Sequence, residues 1–537
     1  MKELAERIAA MSLRQKIGQM IQAGFEGLEP NESITELIEK HHLGGVILFA
    51  RNIGSLDQVA SLNERLQKSA VHAGTLPLWI SIDQEGGMVA RITEGVALMP
   101  GNMAIAAGGS ADSAYRSAYV SGRELRALGI NLNFAPVLDV NVNPDNPVIG
   151  VRSFGESPEE VGRFGIAAIR GYQEADVVAT AKHFPGHGDT NVDSHLDLPT
   201  ITHSRERIEQ VELAPFRRAI AGGVDAIMSS HIYFPAFESQ KLPATLSHAV
   251  LTGLLRQELG YEGVIMTDCM EMQAISDHYG TVRAAVMAVE AGADTVLISH
   301  RFDLQAGAIE ALVEAVESGR ISEARIDESV MRLLALKQKR GLLAGGPPSD
   351  GKDGYLPFAQ IGSAEHREVA RRISEASITL VKDEQGLLPL AAVKTLVISF
   401  EAAVSSFVDE AIAIKTTLGN ALSVEGVDAE EVVIPVAEAS SRLANTLERA
   451  QSPEYAQIVI GTYNASLNPA QAELVQAVHA LGKKLVVVAL RIPYDLRRFP
   501  DVSTYLAAYE SRPLALQSAA KVLTGKIAAE GKLPVTL

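Results

Sequence analysis

The chain has 537 residues, 47% hydrophobic and 21% charged, which is too long for one ordinary domain and excludes a disordered or low-complexity protein. Its 65 acidic residues outnumber the 48 basic ones, and the net charge of −17 argues against nucleic acid or an anionic membrane as partner. A single cysteine, Cys269, excludes an intramolecular disulfide and fits a reducing compartment.

The opening residues, Met1-Lys-Glu-Leu-Ala-Glu-Arg-Ile, spread their charges and hold no apolar stretch, so they read as a helix and not as a signal peptide. No segment has the roughly 20 apolar residues that span a bilayer, and a soluble, cytoplasmic protein is expected. Short apolar runs then recur at 19–25, 45–49, 78–83, 131–140, 177–184, 226–231, 263–268 and 295–299. Such runs suit strands buried on both faces, as in parallel sheets. Helical patterns fill most of the gaps, among them 110–128, 157–174, 205–221, 282–291 and 303–317. Eightfold alternation predicts an α/β fold with an N-terminal (β/α)8 TIM-like barrel over residues 1–343.

Helical pattern continues over 323–343, and the Gly/Pro-rich stretch from Ala344 reads as a linker, residues 344–364. Runs at 378–381, 395–400, 431–435, 458–462, 484–489 and 504–508 predict a smaller C-terminal α/β sandwich over 365–537. No glycine-rich phosphate loop follows any of these strands, so a nucleotide role is unsupported.

Many barrel runs end on a polar residue: Asp83, Asp139, Lys182 with His183, His231, Asp268, and His300 just beyond the last. Active sites of such barrels lie at the C-terminal strand ends. The fifth run feeds the loop Lys182-His-Phe-Pro-Gly-His-Gly-Asp-Thr-Asn-Val-Asp-Ser-His195, with three of the chain's 13 histidines. Asp268, at a strand end, suits a nucleophile or base, or else an N-cap for the next helix. Asp193 and His195 lie two apart, so on an extended segment the carboxylate can orient the imidazole as an acid/base dyad, or simply stabilise the loop. His183, His187, Asp189, Asp193 and His195 are all metal-ligand types. Their spacing matches neither a helical histidine pair nor a finger, and Lys182 would set a cation beside the ion. Asp83-Gln-Glu-Gly-Gly carries a hydroxyl acceptor and glycines that let backbone approach a ligand. Met88 and Met272 read as packing, and Cys269 as a small buried residue.

These segments, with Gly44-Gly-Val-Ile-Leu-Phe, Ala135-Pro-Val-Leu-Asp-Val, Arg152-Ser-Phe, Met228-Ser-Ser-His, Pro243-Ala-Thr-Leu-Ser and Thr267-Asp268, resemble the family 3 glycoside hydrolases and, within them, the β-N-acetylglucosaminidase branch in its two-domain form. The 182–190 loop string is the most specific of them. The C-terminal part resembles the family's second domain more loosely, through Ser377-Ile-Thr-Leu-Val-Lys and Gly531-Lys-Leu-Pro-Val-Thr-Leu. The resemblance implies Asp268 as nucleophile, His195 as acid/base with Asp193 as its partner, and Asp83, Arg91, Arg152, Lys182 and His183 as holders of the terminal sugar. It implies a retaining β-N-acetylhexosaminidase that removes non-reducing terminal N-acetylglucosamine (GlcNAc) from small carbohydrate substrates, peptidoglycan fragments in cell-wall recycling, without metal or cofactor. Met88 stands where many relatives carry arginine, and Cys269 where an acidic residue is common. Both departures bear on the leaving group more than on the reaction. Two other readings stay open: a phosphorylase, because a neutral histidine does not repel phosphate, and a non-catalytic sugar-binding protein. The sequence leaves the oligomeric state open.

Overall fold

The computed structural model describes residues 2–191, 193, 197–344, 356–401 and 416–537. The first eight-stranded sheet is a closed barrel in which each strand lies parallel to the next in sequence and the last pairs with the first. Its strands are Ile21–Ala23, Gly45–Leu48, Trp79–Ile82, Leu132–Asn133, Val178–Phe184, Ala226–Ser229, Val264–Cys269 and Thr295–Ile298. All eight fall inside the expected runs or overrun them by one residue. Side chains such as Val46, Ile80, Ala179, Ile227 and Ile265 are fully buried, as expected where a parallel sheet is covered on both faces.

Three expectations need correction. The run 131–140 forms regular strand only at Leu132–Asn133, with one further bridge, Val137 to Lys182. Pro136 has no N–H to give the ladder. The single helix expected over 205–221 is two, Arg205–Gln210 and Leu213–Ala221. Pro215 cannot donate to the carbonyl four residues back, at Val211, and the chain breaks there. The helix over 323–343 ends at Lys339 and gives way to a 3-10 turn, Leu342–Ala344, after Gly341 at φ +71°. Residues 345–355 of the expected linker lie outside the described residues.

The second sheet has six strands in the order Thr379–Asp383, Thr504–Ala507, Lys484–Ala489, Gln457–Thr462, Thr395–Phe400 and Ala429–Ile434. The first is antiparallel to its neighbour and the others are parallel. This layer does not stand apart from the barrel. A short hairpin, Gln84–Gly86 with Val89–Ala90, follows the third barrel strand, and its tip is gripped from the second layer. Arg512 donates to the carbonyls of Gly87 (2.9 Å) and Met88 (3.3 Å), and Glu510 accepts from the Gly101 N–H (3.1 Å). Met88 belongs to the second layer's apolar core. Gly87 has φ +55°, and a Cβ there would lie 2.7 Å from Gly101 Cα. The hairpin's glycines therefore serve a close approach of backbone to backbone, where the sequence suggested backbone to ligand.

At the opposite end of the barrel, Lys337 is wholly buried and donates to Gln19 Oε1 (2.7 Å) and the Gly44 carbonyl (3.1 Å). Burial pushes its ammonium down to about 7. A base depressed in the folded state leaves the unfolded chain binding more protons between pH 7 and its ordinary value of 10.5, so this group favours folding more as pH rises through that window. The stability difference between wild type and Lys337→Met should move by roughly 4 kcal/mol in favour of wild type from pH 7 to pH 10. Urea unfolding read from Trp79, the chain's only tryptophan, whose ring lies 5.8 Å from the Lys337 ammonium, measures this. A pH-independent difference would sink it. Among the described residues no helix is long and apolar enough to cross a membrane.

Candidate active site

The C-terminal strand ends open into a cavity of about 530 Å³. Asp83, Lys182, His183, Asp268 and His300, polar residues at or just past the ends of four of the runs, all line it, as do Arg91 and Arg152. His231 does not: its ring is tied to the Cys269 carbonyl (2.9 Å) and Thr245 Oγ1 (2.9 Å). No lining residue comes from beyond His300, so among the described residues the second layer braces the site from behind without entering it.

On one side the cavity wall is an ion-pair network. Arg152 donates to both oxygens of Glu85 (2.8 and 2.9 Å), and Lys182 reaches Glu85 (2.7 Å) and Asp83 (2.9 Å). Arg91 lies 3.5 Å from the other Asp83 oxygen. The side chains of Glu85, Arg152 and Lys182 are at most 3% exposed. Burial alone would raise the Glu85 carboxyl, but the Arg152 and Lys182 charges outweigh it and hold it well below the ordinary carboxylate range. Burial likewise opposes charge on Lys182, and the facing Asp83 and Glu85 reverse this and raise it. Both cations stay charged and are fixed in place before any ligand arrives.

Beneath His183 lies Asp139, fully buried. One oxygen accepts the backbone N–H groups of His183 (3.1 Å) and His187 (2.7 Å), and the other lies 2.7 Å from His183 Nδ1. That contact puts a proton on Nδ1 and leaves Nε2 as the nitrogen available to a ligand hydroxyl. Gly188 is forced here: a Cβ would sit 1.8 Å from the Val140 carbonyl oxygen. Burial pushes the His187 imidazole down to about 4, so it is neutral, with Nδ1 2.9 Å from Thr190 Oγ1. Asp189 pairs with His203. His183, His187 and Asp189 are thus engaged separately and form no ligand cluster among the described residues.

Asp268 sits near the end of the seventh strand and accepts the Cys269 N–H (2.7 Å). It is not an N-cap, for the next helix starts at Gln273 behind Met272. Burial pushes the Cys269 thiol up to about 11, so it is no nucleophile at neutral pH. Asp193 is buried; His195 lies outside the described residues. The sequence reading gave no role to Glu85 or Asp139. A signal for Glu85 was present, since three cations drawn to one cavity require more than one carboxylate to balance them.

A closed parallel barrel that gathers carboxylates, an imidazole and paired cations at its C-terminal mouth defines an enzyme for a polar, hydroxyl-rich ligand. The model of the glycosyl hydrolase family 3 N-terminal domain matches residues 12–336, and that of the family 3 C-terminal domain matches 378–537. The chain belongs to glycosyl hydrolase family 3. It is 50% identical to a family 3 β-N-acetylglucosaminidase of solved structure from Paenibacillus sp. str. FPU-7, at a TM-score of 0.93, with 98% of this chain and 99% of that one covered. It is 35% identical to β-hexosaminidase A of Pseudoalteromonas piscicida, over 94% of this chain and 91% of that protein. A β-N-acetylglucosaminidase/β-glucosidase of Cellulomonas fimi is 31% identical, over 98% and 94%.

Proposed function

We propose that the protein is a retaining exo-β-N-acetylglucosaminidase, a β-N-acetylhexosaminidase that cleaves terminal GlcNAc from GlcNAc-MurNAc fragments during cytoplasmic cell-wall recycling. The observation that carries this reading is the position of Asp268. It stands one residue before the end of a barrel strand and faces the same cavity as the ion-paired Asp83, Arg152 and Lys182 and the Asp139-braced His183. The names of the Paenibacillus and Pseudoalteromonas relatives support GlcNAc as the sugar.

In this mechanism Asp83, Arg91, Arg152, Lys182 and His183 hold the sugar hydroxyls. The Asp268 carboxylate attacks the anomeric carbon while His195, oriented by Asp193, protonates the leaving oxygen. His195 then takes a proton from water, which displaces Asp268 and restores the configuration. Residues 1–343 form the catalytic domain and 365–537 the second domain, joined by 344–364.

Water is favoured over phosphate as the acceptor because, among the described residues, each of the four Lys and Arg cations lining the cavity already faces a carboxylate: Arg51 with Glu26 (3.0 Å), Arg91 with Asp83, Arg152 with Glu85, and Lys182 with both Asp83 and Glu85. A phosphate dianion would have to break one of these pairs. The test is product analysis on GlcNAc-MurNAc and on an aryl β-GlcNAc substrate, with and without phosphate. Free GlcNAc at a phosphate-independent rate is expected. GlcNAc-1-phosphate, formed faster as phosphate is added, would establish phosphorolysis instead.

A further inference from the structure

Across the cavity from the ion-pair network, three residues on two adjacent strand ends converge. Cys269 closes the seventh strand, Glu271 follows two residues later, and His300 lies just past the eighth. One ligand-type atom from each, the thiol sulfur, a carboxylate oxygen and a ring nitrogen, lies within 4.8 Å of the other two. The sugar-holding wall makes no use of them, and no step of the proposed hydrolysis requires them. We propose that Cys269, Glu271 and His300 form a zinc site at the cavity mouth, and that its occupancy inhibits the enzyme.

The donor set of sulfur, nitrogen and oxygen matches what zinc takes, and hard cations such as magnesium take oxygen alone. Ligand atoms around tetrahedral zinc stand roughly 3.3–3.7 Å apart given metal–ligand lengths of about 2.0–2.3 Å. Closing the trio therefore needs a shift of about 1 Å, within reach of side-chain rotation at the exposed His300. The support that metal ligands need is in place. Both Glu271 oxygens are held by backbone N–H groups, of His300 (2.6 Å) and Arg301 (3.1 Å), and each keeps a lone pair for a metal. The His300 ring rests against Phe49, with centroids 5.3 Å apart. The nearby Arg51 cation is balanced by Glu26 at 3.0 Å. All three ligands line the cavity, so the fourth position faces solvent and takes water. On binding, the thiol proton leaves to buffer and the sulfur coordinates as thiolate. A dication there lies beside Asp268, the residue next to Cys269. It draws on the carboxylate that must attack and takes up space in the cavity that the substrate enters. The inhibition rests on Asp268 being the nucleophile; the binding does not.

Chelator-treated full-length enzyme would be dialysed against Zn²⁺ and, separately, titrated with Co²⁺ as a spectroscopic probe. Expected are one Zn²⁺ per chain, inhibition of aryl β-GlcNAc turnover that chelator reverses, and a thiolate-to-Co²⁺ charge-transfer band in the near ultraviolet. Cys269→Ser should abolish the band, and Cys269→Ser and His300→Ala should each weaken Zn²⁺ binding by more than the roughly 10- to 100-fold that loss of an outer-sphere partner costs. Binding that leaves turnover unchanged would overturn the inhibitory role and, with it, count against Asp268 as nucleophile, while the site itself would stand. Absence of bound Zn²⁺, absence of the thiolate band, or inhibition unaltered in both variants would overturn the site and leave the hydrolase reading untouched.

Discussion

Asp268→Ala should lower kcat on an aryl β-GlcNAc substrate by on the order of 10⁴-fold while the protein folds normally, because the change removes the covalent route without disturbing a buried network. Asp268 is partly exposed at the cavity and accepts one backbone N–H from its neighbour Cys269. Loss of the attacking carboxylate raises the barrier by about 5 kcal/mol at that ratio. His195→Ala is the informative companion. It should slow substrates with poor leaving groups far more than activated aryl glycosides, since only the former need a proton at the departing oxygen. Steady-state kinetics across leaving groups of graded pKa would show both patterns. Near-wild-type turnover in Asp268→Ala, or an equal loss on all leaving groups in His195→Ala, would remove those assignments.

The largest effect on stability is expected at Glu85. Glu85→Ala leaves Arg152 and Lys182 buried without their shared carboxylate, Lys182 keeping Asp83 and Arg152 only the more distant charges of Asp139 and Asp83, a change expected to cost about 3–5 kcal/mol. Glu85→Gln should cost less, since an amide oxygen still accepts one of the hydrogen bonds. Thermal unfolding gives the order wild type, glutamine, alanine; equal midpoints would show that the network contributes nothing. Activity should fall with stability, because Arg152 and Lys182 lose the partner that fixes their heads at the sugar. The pH dependence has a definite sign. The Glu85 carboxyl is depressed in the folded state, so its contribution is complete above the ordinary value of 4.5 and is lost progressively as pH falls from there to the lower folded value, with about 1 kcal/mol gone by pH 4. The advantage of wild type over Glu85→Gln should therefore persist at pH 4.

The barrel was legible because each strand lies in a short apolar run, many of which end at a polar residue, and periodicity reports burial directly. Asp83, Lys182, His183, Asp268 and His300 reach one cavity for that reason. What the sequence obscured depends on contacts between distant residues. Glu85 and Arg152 are 67 positions apart, and nothing local shows that the carboxylate faces a guanidinium and not solvent. Asp139 looked like one more strand-end acid, and its three contacts with His183 and His187 become apparent only once the fifth strand lies beside it. The two shortened elements were readable in principle from Pro136 and Pro215, each of which removes a donor that the pattern of apolar residues does not register.

The grip of Arg512 on the hairpin that follows Asp83, and of Glu510 on Gly101 packed against its tip, sets a limit on modularity. In sequence the two halves look like parts that could be exchanged among relatives. Mechanically they share one component, because the strut that carries Glu85 is fixed at its root by the barrel and at its tip by the second layer. A chimera that imports a foreign second layer inherits a sugar pocket whose rigidity depends on whether that layer supplies a cation and a carboxyl at those two points. Exchange is therefore constrained at a few atoms of the shared boundary, however well the remainder of the surfaces fit.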